Sequence, residues 1–318
     1  MIFTCPDAAR YLKEAGFDVM SVANNHSGDL GGVEGFRNTL NALERRGIVA
    51  IGGSATEDRQ EPVILERNGI SIGFAGYTIG KLAISREVSV NRLVEEEVFR
   101  DIVSLKGRCD HIAVSLHWGD GDGLLPVSRA DRPRPPAHRC RGHPDPRAPP
   151  AYHAGDRTLP RGGLIAYSLG MFQFEPRWPH NISREAIMLS VDLQKNGVVG
   201  GHETVPLIID DDFIPHPAEG AMAEEIQNFL SEISRPVAEG RLTRARWFEE
   251  IAPVYMKMNL ESYRYRIRRK GIFPLLEMGA WFFTPFCLRC CAGLVRRLFH
   301  PPELARRRRA PGGQNAGN

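Results

Sequence analysis

The sequence predicts a layered α/β sandwich with a helical extension, on three observations. Helices alternate with short apolar strands near the start, hairpins follow, and from about residue 219 strand signals give way to helices with mixed charged faces. A chain of 318 residues, 42% hydrophobic and 25% charged, is long enough for one large domain plus an appendage, and it should bury a real core.

Each element has its own signal. Thr4-Cys5-Pro6-Asp7 opens a helix with Pro6 in its first turn, and Gly16 stops it after Ala15. A strand follows at Asp18 to Val22, then the polar, glycine-rich loop Ala23 to Gly32. Phe36, Leu40 and Leu43 repeat at helical spacing up to the Gly47 stop. After a strand at Val49 to Ile51, Val63 to Glu66 and Ile70 to Tyr77 flank Asn68-Gly69, a two-residue hairpin turn. Further strands are predicted at His111 to Leu116, Leu164 to Ser168, Ile187 to Leu193 and, after Asn196-Gly197, Val198 to Ile209. Ala221 to Ile233 and Trp247 to Arg268 read as helices, and the proline- and arginine-rich end from Pro301 reads as disordered.

The net charge of +3 and pI near 8.6 come largely from the C-terminal third, where Arg264, Arg266, Arg268, Arg269, Lys270 and Arg306 to Arg309 concentrate. A globally basic protein would look different, and no nucleic-acid partner is expected; a solvated face accounts for the excess as well as an anionic surface does. Cys5, Cys109, Cys140, Cys287, Cys290 and Cys291 form neither a disulfide framework nor paired zinc knuckles, and the last three lie in an apolar stretch that favours buried thiols. No basic-then-apolar leader precedes Met1, so the expectation is a cytoplasmic or membrane-associated protein, or one whose start is lost. Ile272 to Leu288 is interrupted by Pro274, Glu277 and Pro285 and falls short of the roughly 20 apolar residues a spanning helix needs. It reads as core or interfacial, and Trp281, Phe282, Phe283 and Phe286 beside Arg289, Arg296 and Arg297 could seat on an anionic membrane.

Three motifs at strand ends carry the chemistry. Ala23-Asn24-Asn25-His26, with Asp29 beyond, follows the first strand, where open α/β sheets bind ligands. An amide oxygen can join a hard divalent cation without adding charge, and a neighbouring imidazole can protonate a leaving oxygen. Alone, these residues read equally as a loop satisfying its own backbone. His117-Trp118-Gly119-Asp120 ends the next strand that matters, and its histidine could ligate a metal or simply bond a carbonyl. Tyr167-Ser168-Leu169-Gly170-Met171-Phe172 ends a third and would border the site, Ser168 and Gly170 included, by packing and backbone contact.

In this order the motifs resemble the CapA family of poly-γ-glutamate capsule-synthesis proteins, which are similar to calcineurin-like metallophosphoesterases. The matching runs are AGFDVMSVANNHSGDLGGVEGFRNTLNALERRGI, GISIGFAGYT, HWGD and LIAYSLGMFQFEP. The resemblance covers about Ala8 to Glu175 apart from one gap, and implies a four-layer αββα metallophosphoesterase-like sandwich, incomplete here, over 1–215. A helical extension at 216–300 and a disordered basic tail at 301–318 would follow. It implies that Asn25 bridges two divalent metal ions, His117 ligates one, and His26 is the catalytic imidazole assisting phosphate or a leaving group. Asn24, Asp29, Trp118, Gly119, Ser168 and Gly170 would line the site.

The resemblance also exposes departures. The family's opening Asp-x-His strand and second aspartate are expected upstream of where this chain starts, its Gly-His-x-His segment is missing, and Met171 stands where asparagine is usual. The gap, 121–162, is aberrant and reads as disordered. From Arg132 to Arg161 it reads RPRPPAHRCRGHPDPRAPPAYHAGDRTLPR, too rich in proline for the expected helix and strand. Codons can be chosen for Pro133 to Arg161 that, read one base later, spell LAHRLIDAGATLILGHHPHIMQGIERYRG, an amphipathic helix, an apolar strand and GHHPH, running into Gly162. The expectation is a frame displacement. His138, His143 and His153 belong to this segment and have no strand to present them to Asn25. As written, the chain should bind no metal tightly and should not catalyse, and an intact relative would be a divalent-metal phosphoesterase of capsule or exopolymer biosynthesis. The alternative is a non-catalytic, membrane-associated scaffold that binds the membrane proteins of an exopolymer synthase.

Overall fold

A computed structural model describes residues 7–28, 31–79, 87–117, 154–158, 163–170, 172, 184–239 and 282–299, with alternating stretches of 248–279. The chain clusters into two compact units, 1–118 with 190–203 and 119–189 with 204–318.

In the first unit, helix α1 (Ala8–Glu14) ends at Gly16, whose φ of 90° is the left-handed conformation a side chain resists. Strand β1 (Val19–Ser21) pairs in parallel with β2 (Val49–Ile51), and helix α2 (Gly32–Glu44) makes the crossover. The helical spacing expected there is real: Phe36 and Leu43 are buried with Ala9, Val22, Ala23 and Ile48, and Leu40 packs against them. The short strands β3 (Gly53–Ser54) and β6 (Ser89–Val90) pair antiparallel and were not predicted, since two residues carry no periodicity.

Strands β4 (Val63–Arg67) and β5 (Ile70–Thr78) form the predicted hairpin, with Asn68 and Gly69 at φ of 53° and 74°. Strand β7 (His111–His117) lies parallel to β5, Thr78 opposite His117, so both strands end on the same edge. The crossover is helix α3 (Glu95–Leu105), which buries Val98 against Ala75 and Tyr77. Its Asp101, almost wholly buried, receives both guanidinium nitrogens of Arg59 at 2.6 and 2.7 Å and the Tyr77 hydroxyl. This pair ties the loop before β4 to the helix. Burial and the Asp101 carboxylate beside it push the Tyr77 phenol far up, so it stays a donor.

In the second unit, β8 (Ala154–Thr158) pairs antiparallel with β9 (Leu164–Ser168). This corrects the expectation that Arg132 to Arg161 holds no strand: the run Ala154 to Thr158 contains no proline, and backbone pairing with β9 needs no apolar alternation. Strands β10 (Glu185–Gln194) and β11 (Val198–Ile209), whose residues 190–203 cluster with the first unit, form the second predicted hairpin, and β12 (Pro215–Pro217) pairs with β11. Helix α4 (Gly220–Ala238) buries Ile226 and Leu230 against Ile187. The described residues between Phe248 and Arg268 are helical, as expected, and helix α5 (Pro285–Phe299) buries Cys287 and Cys290 against Phe248, Ala252 and Met256. The thiols are therefore core residues, and burial pushes that of Cys287 up to about 11. Among the described residues no helix is long and apolar enough to cross a membrane. The tail expected to be disordered, 301–318, lies outside the described residues.

Candidate functional site

The loop after β1 is shaped by its own polar side chains. The Asn24 amide oxygen accepts the His26 backbone N–H at 2.8 Å, closing a turn, and the buried Ser27 hydroxyl donates to the Val22 carbonyl. Asn24 is thus committed to the loop, which leaves Asn25 and His26 as the exposed side chains it presents. The loop is held down by a close approach between strands. Gly52, at φ 85°, has no room for a Cβ, which would stand 2.5 Å from Ala23 Cβ and 2.9 Å from the Gly76 carbonyl. Sequence reasoning missed this pair of glycines, whose signal is a glycine at the end of one strand and within its neighbour.

His117 arrives from the end of β7. Its Nε2 lies 2.7 Å from Asn25 Oδ1, joining two motifs 92 residues apart. Because an amide oxygen only accepts, Nε2 carries the proton in this contact. Burial holds the His117 imidazole below the ordinary histidine range, and the nearby His26 lowers it further. The ring is therefore neutral at neutral pH, the form that ligates metals.

The two residues offer an amide oxygen and an imidazole, the kinds of group that bind a divalent cation; ligation through Nε2 would need its proton moved to Nδ1 and the hydrogen bond given up. The rest of a two-metal site does not fit what is described. Among the described residues no group of three or more His, Cys, Asp or Glu could hold a metal ion. Asp29, Trp118, Gly119 and Met171 lie outside the described residues, as do His138, His143 and His153. Ser168, at the end of β9, and Gly170, bridged to Ala186, belong to the second unit.

Residues 2–132 match the family described as bacterial capsule synthesis protein PGA_cap. The chain is 27% identical over 220 residues to the PGA biosynthesis protein CapA of Bacillus subtilis (strain 168), covering 65% of this chain and 55% of that one. It is 24% identical over 278 residues to the capsule biosynthesis protein CapA of Bacillus anthracis, covering 83% and 64%. Over residues 2–132 this chain is therefore similar to the CapA proteins. It spans less than two thirds of either of these two CapA proteins, and the family match ends at residue 132, one residue before Pro133. Solved structures similar to it include a 5′-nucleotidase precursor from Thermus thermophilus, at TM-score 0.41 and 14% identity, covering 72% of this chain and 45% of that one. The NAD nucleotidase of Haemophilus influenzae aligns at TM-score 0.38 and 12% identity, covering 71% and 48%. The Asn25–His117 contact therefore lies in the part of the chain that carries the CapA match.

Proposed function

We propose that this CapA-family chain carries part of a divalent-metal phosphoesterase site serving capsule or exopolymer biosynthesis of the poly-γ-glutamate type. The observation that carries the reading is the contact of Asn25 Oδ1 with His117 Nε2, at the ends of β1 and β7, beside His26. When bound, paired divalent ions would polarise a phosphate and lower the pKa of a bound water. In such a site Asn25 and His117 would hold the metal, and His26 would hold or deliver a proton at the phosphate or leaving oxygen.

As the sequence stands, the site is incomplete and does not catalyse. Pro133 to Arg161 stand where the family's histidine-rich segment belongs, and a one-base displacement of the reading frame accounts for them. The family match ending at residue 132 supports this reading independently of the codon argument.

The test compares the chain as written with a version in which residues 133–161 are replaced by LAHRLIDAGATLILGHHPHIMQGIERYRG. Titration calorimetry with Mn²⁺ should show weak or no binding by the first and a gain in affinity in the second. Hydrolysis of bis(p-nitrophenyl) phosphate should be absent from the first. Equal Mn²⁺ affinity in the two proteins, or hydrolysis by the chain as written, would overturn the proposal.

A further inference from the structure

Helix α5 is apolar on two faces, and its packing uses one of them. Phe286, Cys287, Cys290 and Leu294 face Phe248, Ala252 and Met256, with the Phe248 and Phe286 rings edge to face at 5.6 Å. Gly293 lies so close to the Phe248 carbonyl that a Cβ would stand 2.5 Å from it, which fixes this side of the helix as the inner one. On the outer side Leu288, Ala292, Val295 and Phe299 follow one another at helical spacing, all of them exposed. Val295 is 54% and Phe299 75% exposed, and Phe283, just before the helix, is 79% exposed.

The charge beside this stripe has one sign. Arg289 and Arg296, seven residues apart and exposed, border it along one edge, and the helix contains no Asp or Glu. Arg297 is occupied elsewhere, donating to the Glu249 carbonyl at 3.3 Å. The sequence beyond adds Arg306 to Arg309. At 15 residues, α5 is about 22 Å long, too short to span a bilayer but suited to lie in its plane.

We infer that the outer face of α5 seats on an anionic lipid surface, with Leu288, Val295 and Phe299 entering the acyl boundary and Arg289 and Arg296 meeting the headgroups. A helix this short, with an apolar ridge and cations of one sign along its edge, fits an anionic bilayer surface, whose headgroups meet the cations while its chains take the ridge. The inference uses no residue of the metal site, so either can fail alone.

The test is flotation of the full 318-residue chain with phosphatidylcholine vesicles, with and without phosphatidylglycerol. Binding is expected only to the anionic vesicles and should weaken as salt rises. Arg289→Glu with Arg296→Glu should reduce it by about tenfold or more. Val295→Asp with Phe299→Asp, both at exposed positions, should abolish it with the circular dichroism unchanged. The inference is overturned by no binding to either vesicle, by equal binding to both, or by binding that survives both double variants. Sedimentation showing self-association that Val295→Asp with Phe299→Asp removes, in a chain that ignores vesicles, would assign the face to a second copy instead.

Discussion

At the scale of the residue, His117 carries the most specific consequence. Burial and the neighbouring His26 both oppose its protonation, so an NMR titration should give it a midpoint below the ordinary histidine value of 6.5. His26→Gln should move that midpoint part of the way back, because burial, the larger cause, remains. The sign for stability follows. With its folded pKa depressed, His117 binds more protons in the unfolded chain, so its contribution is fully present above the ordinary value and is lost as pH falls through that range. Asn25→Ala removes the contact at 2.7 Å and, in the chain bearing the replaced segment, should weaken Mn²⁺ binding by at least about tenfold. Asn25 and His117 could be singled out as candidates only because the motifs occur in the CapA order. Nothing local in NNH or HWG says that side chains 92 residues apart meet.

At the scale of the element, the strands that deliver the site depend on close approach and on one buried ion pair. Gly52→Ala must push Ala23 or the Gly76 carbonyl aside and strain a positive φ. It should lower the urea midpoint and, by moving the loop after β1, release His117 from Asn25, visible as a shift of the His117 ring signals. Asp101→Ala leaves the Arg59 guanidinium largely buried beside a vacated carboxylate, a change that should cost about 3 kcal/mol by urea denaturation. The hairpin at Asn68-Gly69 and the apolar face of α2 could be read from sequence because turn residues and periodicity are local signals. Helix α3 was missed: the acidic start Glu95 to Glu97 masks the spacing of Val98, Ile102 and Leu105. The Arg59–Asp101–Tyr77 cluster was missed for another reason, since its members come from three elements and none of them is unusual alone.

At the scale of the whole molecule, two anomalies coincide. A family match covering residues 2–132 stops where proline and arginine begin to dominate, and the strand signal resumes with β9. The displaced reading frame proposed above would account for both, and for the lack, among the described residues, of three or more His, Cys, Asp or Glu grouped to hold a metal ion. The strand at Ala154 to Thr158 does not oppose this, because the shifted reading also places a non-proline run, QGIER, at those positions. The measurement that tests the account most directly is the DNA sequence from the codon of Gly121 through that of Leu164. The account predicts that the codons of Pro133 to Arg161, read one base later, spell a segment containing GHHPH in continuity with Gly162. Codons that cannot spell it would contradict the account.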